Sequence, residues 1–166
     1  MIAIVYESHA GHTRDYAVML GEKLELPVFS LRDAKKCLPK GQEIIFMGWM
    51  MAGVLKGWKK AKHRYLPKAV CAVGMGTPER EAAFTIAKKN GALGLPIFMI
   101  RGGLDMAKLR PVYRMMMERL ISFLEKKKDR PADMQGLIDV ARSKKDLPIE
   151  AAALAPIIKW YEACER

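Results

Sequence analysis

Ile2-Ala3-Ile4-Val5-Tyr6-Glu7-Ser8-His9-Ala10-Gly11-His12-Thr13 begins as a short apolar run and breaks into a hydroxyl-bearing turn. Helical spacing follows at once: Tyr16, Ala17, Met19, Leu20 and Leu24 mark one face, with Arg14, Asp15, Glu22 and Lys23 between them. A buried strand, a turn with one glycine and a helix starting at that turn form an anion site. The first-turn N–H groups point at whatever sits there, and the helix dipole favours negative charge. Ser8 and Thr13 add hydroxyl donors, and Gly11 permits close backbone approach. Ser, Gly and Thr at such a turn also serve simply to cap the helix, so capping and phosphate binding both stand at this point.

Further strand signals recur at the intervals of βα units. Pro27–Leu31 is a short second strand, and a charged connection with Pro39 and Gly41 leads to a third at Glu43–Gly48. Lys68–Gly74 and Pro96–Arg101 are the fourth and fifth. Glu79 to Asn90 has helical spacing and stops at Gly91. Near-continuous apolar strands imply a parallel sheet covered on both faces. After it, Leu109, Tyr113, Met116, Met117, Leu120, Ile121 and Leu124 mark a long helix that Lys126–Pro131 breaks. A short helix is expected around Leu137 to Ala141 and a last one over Glu150 to Glu162, with Pro156 as a kink or restart. The expected organisation is one domain over residues 1–166, with a core at 1–128 and a helical extension at 129–166.

Composition narrows the class. Hydrophobic residues are 51% and charged residues 28%, as in a globular chain. No apolar run approaches the roughly 20 residues of a membrane-spanning helix, and the first strand carries no leader-like start. Cys37, Cys71 and Cys164 are too far apart for a C-x-x-C site. The expected location is cytoplasmic, with peripheral contact to a membrane as an option. No His/Cys/Asp/Glu set has metal-ligand spacing, so no metal is expected, and no catalytic group is assigned.

The net charge of +11 is concentrated in two blocks. Residues 51–70 carry six basic residues and no acidic one, and residues 101–130 carry nine basic against four acidic. Leu55, Trp58, Tyr65 and Leu66 interleave with Lys56, Lys59, Lys60, Lys62, Arg64 and Lys68 in the first block. Such a 56–68 patch suits an anionic membrane surface or an acidic partner, and it is equally the profile of a solvated helix face. Nucleic acid is disfavoured, because no binding motif accompanies the charge.

Three loops converge at the carboxyl edge of such a sheet: Ser8–Thr13, Gly48–Trp58 and Gly74–Pro78. They offer phosphate donors, a flat aromatic and thioether surface, and amides exposed between glycines. A planar ring with a phosphate tail needs those three provisions. The candidate binding residues are Ser8, His9, Ala10, Gly11, His12, Thr13, Trp49, Met50, Met51, Ala52, Gly53, Gly74, Met75 and Gly76.

This order of elements, with a hydroxyl-Gly-Thr turn after the first strand, resembles the flavodoxin superfamily over residues 1–125. It looks most like the branch that includes menaquinone-dependent protoporphyrinogen oxidases, to which Arg101–Asp105, Lys108-Leu109 and the Met-rich helix are also similar. The resemblance implies an α/β flavodoxin-like three-layer sandwich with a five-stranded parallel sheet and extra C-terminal helices. It also implies FMN as cofactor and a role as oxidoreductase or electron-transfer protein, with a redox protein or small-molecule acceptor as partner. One alternative is a membrane-face protoporphyrinogen-oxidase-like enzyme using quinone; another is a binding module of the same fold that has lost the flavin. The family's phosphate turn, Thr/Ser-x-Thr-Gly-x-Thr, is matched by Ser8, Gly11 and Thr13. Ala10 replaces the middle Thr and removes a hydroxyl, and His12 stands where Asn is common. A lost hydrogen bond to a charged acceptor costs about 1.5–3 kcal/mol, which protonated His9 or His12 could partly restore. Trp49 is the candidate for flanking the ring, and Gly74, Met75 and Gly76 for its edge.

Overall fold

The computed structural model describes residues 1–74, 80–102, 106–130, 135, 138, 139, 141, 142 and 149–165, with the side chains of 80 and 81 set aside. β1 (Ala3–Glu7), β2 (Val28–Ser30), β3 (Glu43–Met51), β5 (Leu66–Gly74) and β6 (Ile97–Arg101) form a parallel sheet in the order β2-β1-β3-β5-β6. A two-residue strand, β4 (Val54–Leu55), turns back antiparallel on the end of β3. Strand order therefore reverses between β1 and β3, where Glu7 pairs with Gly48. In open α/β sheets that point is where the ligand crevice opens.

Alternation along the strands supplies the two covering layers. Ile4, Ile45, Met47, Ala69 and Cys71 face α1 (His12–Leu24) and α6 (Ala155–Cys164), whose Tyr16, Ala17, Leu20 and Ile157 pack on them. Val5, Ile44, Phe46, Val70 and Ala72 face the other way, against Ala34 of α2 (Leu31–Cys37) and Trp58 and Ala61 of α3 (Trp58–Arg64). The result is a flavodoxin-like three-layer sandwich. α4 (Arg80–Asn90) connects β5 to β6, and α5 (Pro111–Glu125) adds a third cluster from Leu109, Met117, Ile121 and Leu124, with Ile138, Ala141 and Met51 against it.

The helices differ from the sequence reading in instructive places. α2 lies inside the stretch read as a charged connection; Ser30 ends β2 and caps the helix by accepting from the Asp33 N–H at 3.1 Å. Ile138, Asp139, Ala141 and Arg142 are helical as expected, whereas Leu137 lies outside the described residues. The final segment is a 3-10 turn at Ala151–Leu154 followed by α6, and Pro156 sits in the first turn of α6, where its missing N–H costs nothing. Leu154 and Ile157 reach into the main core, so this segment forms part of the covering layer.

Tyr16 holds that layer to the sheet. Its hydroxyl donates to the Arg101 carbonyl at 3.1 Å and accepts from the Glu150 N–H at 3.2 Å, while the ring is 1% exposed. Tyr16→Phe keeps the ring and strands both backbone groups. It is expected to lower unfolding free energy by about 1–3 kcal/mol, measured by urea denaturation; an unchanged midpoint would show that water replaces both bonds.

Candidate functional site

β1 delivers the first turn to the reversal point. Ser8 Oγ accepts from the Gly11 N–H at 3.1 Å, leaving its own O–H to donate elsewhere. Gly11 occupies the left-handed region at φ 98°, precedes α1 as its N-cap, and no side chain caps the helix. Of the two readings open from sequence, a side-chain cap is not what α1 carries. His12 and Thr13 are buried, at 8% and 2% exposure, and Arg14 lies exposed with its guanidinium on Asp15. Ala10 is half-buried within the turn.

The second stretch is a hairpin where the sequence suggested a loop. β3 runs on to Met51, and Ala52 (φ 50°) and Gly53 (φ 76°) make the two-residue turn into β4. Strand geometry then separates the two methionines. Met51 packs with Tyr113 and the α5 cluster, whereas Met50 packs with the core on the opposite face. Ala52 and Gly53 do not join the turn after β1; their carbonyls accept from Lys89 Nζ and Asn90 Nδ2 at the end of α4. Gly48 is required here, since a Cβ would lie 2.8 Å from the Lys56 carbonyl oxygen. Only without a side chain can the chain after β4 cross over β3 and bring Lys56 beside Trp49.

Trp49 does face the first turn, and it meets His9 there. The two rings stack at 5.2 Å between centroids and 28° between planes. Tyr113 from α5 closes the group edge-on, 5.0 Å from His9 and 5.5 Å from Trp49. Lys56 Nζ lies 5.9 Å from the Trp49 centroid and 5.8 Å from that of Tyr113, within cation–π range. His9 Nε2 accepts from the Arg110 N–H at 3.1 Å, which puts the proton of the neutral ring on Nδ1. Burial first, and then the Arg110 charge, hold His9 below its ordinary pKa. This environment favours the neutral ring over the protonated one, which the sequence offered as one way to offset the hydroxyl lost at Ala10.

Gly74 closes β5 beside Met50, and its carbonyl accepts from the Gly102 N–H at 2.7 Å. Met75 and Gly76 lie outside the described residues. Tyr113, Arg110 and Lys56 were not among the residues singled out from sequence. Tyr113 read as one more apolar position of a long helix and Lys56 as one of a charge run.

The residues fit the phosphate end of FMN, with an uncapped helix start, a left-handed glycine and the Ser8 hydroxyl. Trp49 and Tyr113 offer aromatic surface suited in kind to a ring, and His9 stacks on Trp49. These features define a flavodoxin-like fold with an aromatic cluster at its switch point. No protein-family model matches the chain, and no curated protein or solved structure matches it either.

The cause of the His9 shift is testable. Because its folded value is depressed, the unfolded chain takes up the proton first on acidification. The contribution to stability is present above about pH 6.5 and is lost as pH falls through the folded value. Arg110→Gln keeps the backbone donor and removes the charge. The His9 NMR titration midpoint is expected to rise partway toward the ordinary value, with burial retaining the rest; an unmoved midpoint would rule out the Arg110 contribution.

Proposed function

We propose that this protein is an FMN-binding oxidoreductase or electron carrier in which the flavin phosphate sits at the start of α1 and the ring takes the place of His9 on Trp49. The observation that carries this reading is the His9–Trp49 contact, which joins the phosphate turn to the aromatic surface where strand order reverses. Bound FMN supplies one- or two-electron redox chemistry, and the protein orients the ring and sets its potential. Trp49 offers the stacking face, Tyr113 and Met51 exclude water beside it, and Lys56 places a positive charge next to both aromatic rings. His9, neutral and bonded to the Arg110 N–H, keeps the apolar surface covered until a ring replaces it. The role proposed is redox exchange through the flavin with a redox protein or a small-molecule acceptor.

Two other readings draw on particular observations. A flavin-free binding module is favoured by Ala10, which removes a phosphate hydroxyl, and by the His9 ring on Trp49. A protoporphyrinogen-oxidase-like enzyme with quinone as acceptor is favoured by the exposed apolar side of α5.

Titration of the apo-protein with FMN, read by flavin fluorescence and the visible spectrum, distinguishes these readings. Trp49→Ala is expected to weaken binding about tenfold or more by removing the stacking face. His9→Ala is expected to tighten it about threefold to tenfold, because an aromatic pair worth about 0.5–1.5 kcal/mol no longer competes. Absence of saturable binding in both the parent and His9→Ala, with folding intact by circular dichroism, would overturn the flavin reading and leave the binding module.

A further inference from the structure

α5 has an apolar side that is left exposed among the described residues. Met117, Ile121 and Leu124 recur at four and three residues and are buried. Val112, Met116, Leu120 and Phe123 recur at four, four and three, yet are between 41% and 61% exposed, with Met115 beside them at 47%. A helix packed against one neighbour needs one apolar stripe; this one has two. Arg119 and Lys126, seven residues apart, flank the outer stripe and share an open groove with Met115 and Phe123. Lys127 Nζ lies 4.8 Å over the Phe123 ring. Glu118 lines the same groove, and Glu125 is bound at both oxygens by Arg142, at 2.8 and 2.9 Å. The outer stripe is therefore edged by Arg119, Lys126 and Lys127, with Glu118 beside them in the groove and Glu125 paired.

The other basic block is built differently. In residues 55–66, Leu55, Trp58 and Tyr65 are buried, and of the interleaved apolar residues only Leu66 is exposed. α3 presents lysines to solvent over an inward-facing aromatic core.

We propose that α5 is a membrane-docking face, lying in the headgroup region of an anionic bilayer with Val112, Met116, Leu120 and Phe123 inward and Arg119 and Lys126 on lipid phosphates. The combination of an apolar stripe and flanking cations is what such a surface recognises. At 15 residues, α5 lies on a bilayer and does not span it. A second copy is the poorer occupant, because a two-fold contact through this stripe brings Arg119 and Lys126 of both chains together in a protein of net charge +11. The inference is independent of flavin binding, and its failure leaves the proposed function standing.

Co-sedimentation of the full chain with phosphatidylcholine–phosphatidylglycerol vesicles tests it. Binding is expected at low salt and is expected to be far weaker on phosphatidylcholine alone. The double variants L120Q/F123Q and R119E/K126E each weaken it at least about tenfold. A charge-matched control on α3, K59E/K60E, weakens it less than about threefold. V112Q/M116Q probes the same stripe should the first pair disturb folding, which melting curves report. Absence of binding at low salt, equal loss in the α3 control, or unchanged binding in both stripe variants would overturn the proposal. So would a dimer, seen by sedimentation velocity and abolished by L120Q/F123Q, in a protein that ignores vesicles.

Discussion

The parallel pairing of β1 with β2 on one side and β3 on the other is the constraint from which the rest follows. Parallel strands demand crossover connections, and a sheet apolar on both faces demands cover for each. α1 and α6 cover one face and α2 and α3 the other, each through residues that alternate with their neighbours along the strand. Because β2 and β3 leave β1 in opposite directions, the ends of β1 and β3 open a crevice between them. The turn after β1 and the extension of β3 have nowhere else to meet.

What meets there is set by small backbone decisions. Gly48 lets the returning chain cross β3, and the left-handed pair Ala52-Gly53 folds the strand end into a hairpin tied to α4. Trp49 and Met51 consequently share the face toward α5, and Met50 does not. His9 and Tyr113 complete a cluster of three aromatic rings and one ammonium. A neutral imidazole on an indole is a weak contact, worth about 0.5–1.5 kcal/mol. In the proposed function a larger ring with an anchored phosphate displaces it.

Much of the fold was legible from residues alone. β1, β5 and β6 are apolar runs that helix-type spacing could not imitate, and the stop at Gly91 and restart at Pro156 are local chemistry. α2 was hidden because its seven residues carry four charges and bury only Ala34, although Ser30 and Asp33 spell a cap. The hairpin was hidden by its glycines, which mark loops more often than strand ends. The site was half legible. The turn follows β1 and Trp49 lies on β3, its neighbour in the sheet, and strand order follows from general rules of α/β sheets. The Arg110–His9 bond joins residues 101 apart, and no local pattern encodes it.

The crevice depends on sheet topology, and the outer face of α5 on a surplus of apolar side chains near cations. They meet at the first turn of α5, where Tyr113 and the Arg110 N–H hold His9. The most direct test of the central claim is the His9 ring resonance followed by NMR as FMN is added. Displacement predicts that its Trp49 ring-current shift and its Nε2 hydrogen bond disappear in step with flavin saturation. Saturation with the His9 resonance unmoved would place the flavin elsewhere and contradict the account.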